Sequence, residues 1–397
     1  LSEMPEQQRA PAAQGLDKDS LMVSTMFETS SLGGMALKNR FVRSATWEGM
    51  AQEDGSCTLA LAAVISELAK GEVGLIISSH AFVSPEGLAG PRQLAAYDDR
   101  FIPGLSEMVK AAHEGGSKIV LQLAHAGVQA DTSLTKLEAI GPSSLASEKG
   151  PVGRAMTLGE IEQTIEAFVA AARRAQTAGF DGVQIHAAHG YLLSQFLSPH
   201  FNRRTDEFGG ALDNRARIVL TTLEGIKAVC GKTFPVLIKL NSEDFIDGGL
   251  TVEESLQIAS MLERAGIDGI EMSGGSMDAA SKFKPVRRGG LPSEDQEVYY
   301  REPAKRFKAT IGVPLILVGG IRSYMVAERL IEEGIADYVS ISRPFIREPH
   351  LVARWKSGDT EKSACGSCNM CFVPIVKGEG MYCVAERRQR EKKSQQR

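Results

Sequence analysis

Residues 235–273, PVLIKLNSEDFIDGGLTVEESLQIASMLERAGIDGIEMS, contain one complete strand–helix–strand unit. Two mainly apolar runs, Pro235–Leu240 and Gly269–Ser273, are typical of parallel strands that are covered on both faces. Between them, Thr251 and Glu254 have capping-box spacing, and a glycine follows the last residue of the apolar periodicity, which predicts a helix. The stretch therefore predicts a βαβ unit of a parallel sheet.

The same alternation of strand and helix runs along most of the chain. Short apolar runs predict eight strands: Asn39–Ser44, Val73–Ser78, Lys118–Leu123, Gly182–His186, Pro235–Leu240, Gly269–Ser273, Pro314–Val318 and Ala336–Ile341. The first strand-to-helix turn lacks the GxGxxG of a dinucleotide-binding sheet, and eight repeats fit a closed barrel better than an open sheet. We predict an α/β protein with a (β/α)8 TIM barrel over residues 21–355. A mobile tail, 1–20, precedes it, and a Cys-rich C-terminal extension, 356–397, follows it.

Composition limits the classes of partner. The 397 residues include 45 Lys and Arg against 49 Asp and Glu, a net charge of −4, which argues against nucleic acid and anionic membranes. No apolar run approaches the roughly 18 residues of a membrane span, and no secretory leader opens the chain. We expect a cytoplasmic globular protein that acts on a small molecule. A homo-oligomer is compatible with this sequence.

The most informative polar residues follow the fourth predicted strand. That strand ends at His186, and His189 and Tyr191 lie in the turn after it. Two imidazoles and a phenol at the C-terminal mouth of a barrel can bind a carbonyl oxygen and supply a proton. The HxxH pair also has the spacing of two metal ligands, but no third ligand of the metalloprotease type accompanies it.

Several motifs resemble those of the old yellow enzyme family of flavin-dependent oxidoreductases. They are HAAHGYLLSQFLSP with NRRTDEFGG and DNRAR behind it, RSATWEG after strand one, VSPEG after strand two and LQLAHAG on strand three. The resemblance extends from about Leu37 to Leu351. It implies a barrel that binds FMN and passes hydride from NAD(P)H, through the flavin, to an electron-poor alkene.

Two side chains at strand ends suit the flavin ring. Gln122 can hydrogen-bond its polar edge, and the resemblance places this amide on the pyrimidine part. Lys239 would stabilise negative charge near N1 and O2 of reduced flavin. The alternative is a barrel lysine paired with an acid such as Glu243. Many family members carry Arg at the position of Lys239, so the flavin potential is expected to differ here.

The loops after strands seven and eight suit a phosphate group, which barrels commonly hold there. Gly319 and Gly320 would bring backbone N–H groups close to it, while Ser342 and Arg343 would add side-chain contacts. The resemblance places further residues near the cofactor: Ser44, Ala45 and Thr46 against the ring, and Gly274 and Gly275 after strand six. Ala81, after strand two, is a small residue that is expected to pack against the flavin. Trp47 is expected either to cap the flavin or to belong to the core.

Four of the six cysteines lie close together after the barrel: Cys365, Cys368, Cys371 and Cys383. Thiolates at this spacing can surround a [4Fe–4S] cluster; zinc and a set of free thiols are the alternatives. The pattern resembles the iron–sulfur branch of the family, which includes trimethylamine dehydrogenase and 2,4-dienoyl-CoA reductase. Only Val384–Arg397 follow the last cysteine, so we expect NAD(P)H to reach FMN directly, or electrons to come through the cluster from a partner protein.

These observations predict an FMN-dependent ene-reductase acting on an activated alkene such as an enone or enoyl thioester. His186 and His189 would hold the carbonyl oxygen, and Tyr191 would protonate the α-carbon. The alternatives are a cluster-containing amine dehydrogenase or demethylase and an electron-transfer module that serves a partner protein. A Schiff-base aldolase built on Lys239 would leave Gln122 and the cysteines unexplained. The loop Met277–Tyr300 is expected to shape the substrate pocket.

Overall fold

Eight parallel strands close into a barrel in a computed structural model, which describes residues 24–147 and 150–395. The predicted mobile tail, 1–20, lies outside the described residues. The strands in chain order are β1 (Ser30–Leu32), β2 (Met35–Leu37), β3 (Phe41–Arg43), β4 (Leu75–Phe82), β5 (Lys118–Ala124), β6 (Ile140–Gly141), β7 (Leu145–Ser147), β8 (Gly150–Val152), β9 (Arg154–Ala155), β10 (Gly182–Ala187), β11 (Val236–Asn241), β12 (Gly269–Ser273), β13 (Leu315–Val318) and β14 (Tyr338–Ile341). The barrel contains β3, β4, β5 and β10 to β14, and β14 pairs with β3 to close it.

Helices separate the barrel strands. In chain order they are α1 (Leu59–Lys70), α2 (Ile102–Glu114), α3 (Thr132–Thr135), α4 (Leu158–Ala178), α5 (Leu192–Leu197), α6 (Leu212–Cys230), α7 (Val252–Arg264), α8 (Arg301–Thr310), α9 (Tyr324–Glu332), α10 (Arg343–Arg347), α11 (Leu351–Lys356), α12 (Phe372–Val376) and α13 (Val384–Gln395). The predicted capping box of Thr251 and Glu254 is formed at the start of α7, and Thr157 and Glu160 form a second one at the start of α4. All eight predicted barrel strands are present, and the predicted (β/α)8 fold is confirmed.

The barrel interior changes from apolar to polar along its axis. The hairpin β1–β2 inserts Leu32, Met35 and Leu37 into an apolar cluster with strand residues such as Val120 and Leu237. Gly33 of this hairpin lies beside Pro235 and Asp268, which precede β11 and β12, so the hairpin closes the N-terminal end. Polar side chains fill the layers nearer the C-terminal end, where barrel enzymes place their chemistry.

Strand register decides which of those polar residues are neighbours. Gln184 on β10 is aligned with Gln122 on β5, and Lys239 on β11 is aligned with Glu271 on β12. A register shift in β4 aligns His80 with Gln122. Parallel pairing therefore brings residues that are distant in sequence to one level of the barrel.

The Cys-rich extension packs onto the same end of the barrel. Arg322, in the loop after β13, donates to the backbone carbonyl of Cys365 at 2.8 Å and to Ser367 Oγ at 2.6 Å. Ile375 of α12 lies directly over Gly49, in the loop after β3. The extension thus forms part of the wall around the barrel mouth.

Candidate active site

A cavity of about 600 Å³ opens at the C-terminal mouth of the barrel. Residues from the loops after most barrel strands line it, and residues 367–375 of the extension complete its wall. Eleven of the residues predicted for catalysis or cofactor binding lie on this lining: Ala45, Thr46, Gln122, His186, His189, Tyr191, Lys239, Gly319, Gly320, Ser342 and Arg343. The structure therefore brings together residues from six separate stretches of the sequence.

His186, His189 and Tyr191 form one cluster on this lining. The ring centroids of His186 and Tyr191 are 4.8 Å apart, and those of His186 and His189 are 5.4 Å apart. His189 is held by a hydrogen bond of its Nε2 with Ser273 Oγ at 2.8 Å and by donation from its backbone N–H to Asn241 Oδ1 at 3.2 Å. Its φ of +65° is unusual for a residue with a side chain, and such strain is common at functional sites.

Burial keeps this cluster uncharged. It lowers the pKa of His186 and His189 well below the ordinary histidine value, and the nearby charge of Lys239 acts in the same direction. Burial also raises the pKa of Tyr191 above its ordinary value. At neutral pH the site therefore offers two neutral imidazoles, each with one N–H donor, and one protonated phenol.

A third histidine, His80, belongs to the same cluster, although no sequence motif pointed to it. Its Nε2 lies 3.3 Å from Tyr191 Oη, and the two ring centroids are 5.6 Å apart. Burial lowers the pKa of His80 to about 4. The residue predicted from the sequence is the neighbouring Ala81, because the sequence does not define the register at the end of β4. The sequence feature that could have indicated His80 is its position one residue before Ala81, near the C-terminal end of the strand.

Lys239 has a different acidic partner from the one named as the alternative. Its Nζ lies 2.9 Å from Glu271 Oε2 and donates to Ser44 Oγ at 2.8 Å. The suggested partner Glu243 is therefore wrong, because the register of β11 and β12 aligns Lys239 with Glu271. Gln122 donates from Nε2 to Gln184 Oε1 at 2.7 Å.

Glycines and arginines lie at the other end of the cavity. Gly319 and Gly320 have φ values of +130° and +84°, and a Cβ on either would collide with the ring of Tyr299 or Tyr300. Arg343 donates from Nη1 to Asn369 Oδ1 at 2.6 Å and to the carbonyl of Arg287 at 2.7 Å. Arg322, also on the lining, adds a second guanidinium, which was not among the residues predicted from the sequence. This end of the cavity is suited to an anionic group.

The remaining predicted cofactor residues lie behind the lining. Ser44 and Ala81 are buried beneath it, Gly274 packs against the ring of Tyr300, and Gly275 lies against the carbonyl of Phe283. These residues can support the wall but do not line the cavity. Trp47 does line it, and its buried Nε1 has no hydrogen-bond partner among the described residues.

The loop Met277–Tyr300 contributes Met277, Pro285, Val286 and Tyr299 to the lining, in agreement with its expected position. Within this loop the Arg287 guanidinium lies 4.2 Å from the ring centroid of Tyr299. That contact ties the middle of the loop to its end beside the glycine pair.

The four cysteines of the extension all border one small cavity of about 30 Å³ next to the main one. Cys371 and Arg343 line both cavities, and Arg347 Nη1 lies 3.9 Å from Cys383 Sγ. Burial raises the pKa of Cys371 to about 11 and also raises that of Cys365. Within residues 24–147 and 150–395, no three or more His, Cys, Asp or Glu side chains are arranged as ligands of a metal ion.

None of the helices in the part of the chain that the structure describes is long and apolar enough to cross a bilayer.

Comparison with known proteins gives the family of the chain. The chain is 35% identical over 376 residues to the NADH oxidase of Thermoanaerobacter brockii, which covers 90% of this chain and 57% of that enzyme. The chain thus spans little more than half the length of that relative.

Two solved structures have the same fold. A 2-naphthoyl-CoA reductase in complex with 2-naphthoyl-CoA superposes with a TM-score of 0.83 at 28% identity, over 90% of this chain and 56% of that one. The old yellow enzyme homologue from Zymomonas mobilis superposes with a TM-score of 0.74 at 26% identity, over 91% of this chain and 98% of that one. Residues 25–362 match the model of one family along its length. The chain therefore belongs to the NADH:flavin oxidoreductase / NADH oxidase family, as the resemblance to old yellow enzyme implied.

Proposed function

We propose that this chain is an FMN-dependent ene-reductase that uses NAD(P)H to reduce the C=C bond of an electron-poor alkene, such as an enone or an enoyl thioester. The observation that carries the proposal is the single cavity that joins the neutral pair His186 and His189, the phenol of Tyr191, and the flavin-edge candidates Gln122 and Lys239. Family membership supports the flavin and the reductant.

The cavity has the polar groups that FMN needs. The amide of Gln122 and the cation of Lys239 lie at the barrel centre, and Arg343 lies with the glycine pair at the outer end. The buried Nε1 of Trp47 also lacks a partner among the described residues. When bound, FMN supplies the hydride acceptor and donor between NAD(P)H and the alkene.

The histidines would hold the carbonyl group of the substrate. A neutral imidazole keeps one N–H donor, and two such donors aimed at one oxygen stabilise the negative charge that develops as the alkene accepts hydride at its β-carbon. Nδ1 of His186 is buried and has no hydrogen-bond partner among the described residues, so the protein itself does not use this nitrogen. Tyr191 would then transfer its proton to the α-carbon, and burial keeps that proton on the phenol until it is needed.

The decisive test is to follow the reduction and reoxidation of the flavin under anaerobic conditions. We expect purified protein to show flavin absorbance, to be bleached by NADH or NADPH, and to be reoxidised by an enone such as 2-cyclohexenone with one alkene reduced per flavin. The variant His186→Ala/His189→Ala, with FMN retained, should be bleached normally and reoxidised slowly. Protein that binds no flavin even after FMN is added would refute the proposal.

We also propose that the four cysteines hold a [4Fe–4S] cluster. Their thiols border one cavity, and Arg343 and Arg347 beside it would offset the negative charge of a four-thiolate cluster. Iron and acid-labile sulfide, assayed on the same anaerobic sample, should each be about four per chain if this is right. Zinc without iron, or neither metal, would contradict it.

The contact between the two cavities favours a second function, in which electrons leave the flavin through the cluster to a partner protein. Cys371 lies on both cavity walls, so a cluster there would adjoin the flavin site. Aromatic residues on the lining, namely Trp47, Tyr191, Tyr299 and Phe372, also suit an amine cation, which is the requirement of an amine dehydrogenase or demethylase. Flavin bleached by an amine but not reoxidised by enones would favour this function over the first.

A further inference from the structure

A chain of buried polar side chains connects the flavin-edge candidates Gln122 and Lys239 from below. Glu271 Oε2 lies 2.9 Å from Lys239 Nζ in an ion pair, and the same oxygen accepts a hydrogen bond from Gln184 Nε2 at 3.0 Å. Gln184 Oε1 in turn accepts from Gln122 Nε2 at 2.7 Å. The second oxygen of Glu271 accepts from Ser340 Oγ at 2.8 Å. One carboxylate is therefore bonded, directly or through one amide, to both groups.

Glu271 is fully buried, and its charge is compensated by its neighbours. Burial by itself would raise the pKa of this carboxyl, but the charge of Lys239 and hydrogen bonds from Ser44, Lys239 and Ser340 hold the pKa below its ordinary value. A buried carboxylate in this state accepts hydrogen bonds and donates none. Glu271 lies beneath the cavity lining and does not touch the cavity itself.

This property has a consequence for the amides. Because Glu271 is an acceptor only, Gln184 must turn its NH₂ group toward it and its oxygen toward Gln122. Gln122 must therefore donate one N–H to Gln184 Oε1, which leaves its own oxygen and its second N–H for the cavity. That pair of groups complements an imide edge, which presents an N–H beside a C=O, as the pyrimidine ring of flavin does.

The ion pair has a separate consequence for charge. A lone Lys239 would place a full positive charge under the flavin and strongly favour the anionic reduced form. With Glu271 at 2.9 Å, the pair is close to neutral, and the lysine acts mainly as a hydrogen-bond donor.

We propose that Glu271 is a positioning residue of the flavin site: its carboxylate sets the amide orientation of Gln122 through Gln184, and it lowers the flavin potential by neutralising Lys239. This inference rests on the proposed binding of FMN. It assigns a role to a residue that reaches the cofactor only through others.

Two variants separate the two effects. Glu271→Gln offers a donor as well as an acceptor, so Gln184 and Gln122 can reverse, and the charge of Lys239 is no longer compensated. We expect its Kd for FMN to rise at least tenfold. We also expect the ratio of reduced to oxidised FMN affinity to rise at least tenfold, which is about 30 mV in the two-electron potential. Gln184→Met breaks the relay and keeps the ion pair, so it should weaken FMN binding and leave the potential unchanged.

The readouts are FMN fluorescence quenching by apoprotein and dye-equilibrated midpoint potentials, and neither depends on turnover. Glu48→Gln is the matched control, since Glu48 is an equally buried carboxylate paired with Arg43 and lies outside the cavity lining. It should lower the melting temperature without moving the potential. If wild-type protein binds FMN but Glu271→Gln has wild-type affinity and potential, the inference is wrong. If Glu271→Gln does not fold, Gln184→Met decides, and wild-type FMN affinity in that variant overturns the relay.

Discussion

Tyr191→Phe is the sharpest test of the proposed chemistry, because the structure predicts very different effects on stability and on rate. The substitution removes one hydroxyl and keeps the ring that packs 4.8 Å from His186. The hydroxyl has one hydrogen-bond partner among the described residues, His80 Nε2 at 3.3 Å. Its loss should cost about 0.5–1.5 kcal/mol of folding free energy, which in a chain of this length is a shift in melting temperature of about 1–2 °C.

The expected effect on alkene reduction is much larger. A positioned general acid contributes about 10²–10⁴ in rate, which corresponds to roughly 3–5 kcal/mol of the barrier. Bleaching of the flavin by NADPH requires no proton from Tyr191 and should keep its wild-type rate. The assay is anaerobic stopped-flow spectrophotometry of the two half-reactions, with FMN content and melting temperature measured on the same preparation.

Tyr324→Phe is the matched control. Tyr324 is also a buried phenol, bonded to Ser24 Oγ at 2.9 Å and to Glu328 Oε1 at 2.8 Å, and it lies outside the cavity lining. It should lose at least as much stability as Tyr191→Phe, since one of its two partners is a carboxylate, and both half-reactions should stay intact. Equal slowing of the two half-reactions in Tyr191→Phe, or no slowing of alkene reduction, would refute the assigned role.

Three further predictions follow from the same geometry. Burial depresses the pKa of His80 to about 4, so the folded protein keeps this imidazole neutral at a pH where the unfolded chain, with a pKa of about 6.5, binds a proton. The free energy of unfolding should therefore fall on acidification. In urea titrations, His80→Gln should lose about 2 kcal/mol less of this free energy than wild type between pH 6.5 and 5. Cys371→Ser should lower the iron content of anaerobic protein and shift the visible flavin spectrum, because Cys371 lies on both cavity walls; unchanged iron would contradict its role as a ligand. Gly320→Ala would place a Cβ 2.7 Å from the ring of Tyr299 at a φ of +84°, and it should cost about 1–3 kcal/mol of folding free energy with loss of bound FMN. Gly334→Ala is the control: at a φ of +65° with open space around it, it should cost only the backbone strain and retain FMN.

The barrel could be predicted from the sequence because its signals are local. Parallel strands that are covered on both faces read as continuous apolar runs, and two of the helices between them, α4 and α7, begin at capping boxes that the structure forms at Thr157 and Thr251. The positions of His186, His189 and Tyr191 at the barrel mouth were predictable for the same reason, since the C-terminal end of a strand is defined by where its apolar run stops.

Local sequence patterns do not predict contacts between residues on different barrel strands. His80 is 111 positions from Tyr191, and its contact depends on the register shift in β4 that turns its ring into the cavity. The sequence offered Glu243 as the partner of Lys239, because it is the acid nearest in sequence. The partner in the structure is Glu271, on the neighbouring strand. A hydrogen-bond partner across a sheet is set by register, and one residue of slip would turn the side chain to the opposite face.

The sequence by itself determined the strands, the helix starts, the cluster of three polar residues after the fourth barrel strand and the four cysteines, because each depends on the order and spacing of neighbouring residues. Only the tertiary structure decided that Ala81 lies behind the cavity wall while His80 faces it, that Arg322 joins Arg343, and that Glu271 holds Lys239. Those relations depend on how the barrel closes, since closure brings distant strands to one level and decides which side chains share a buried charge.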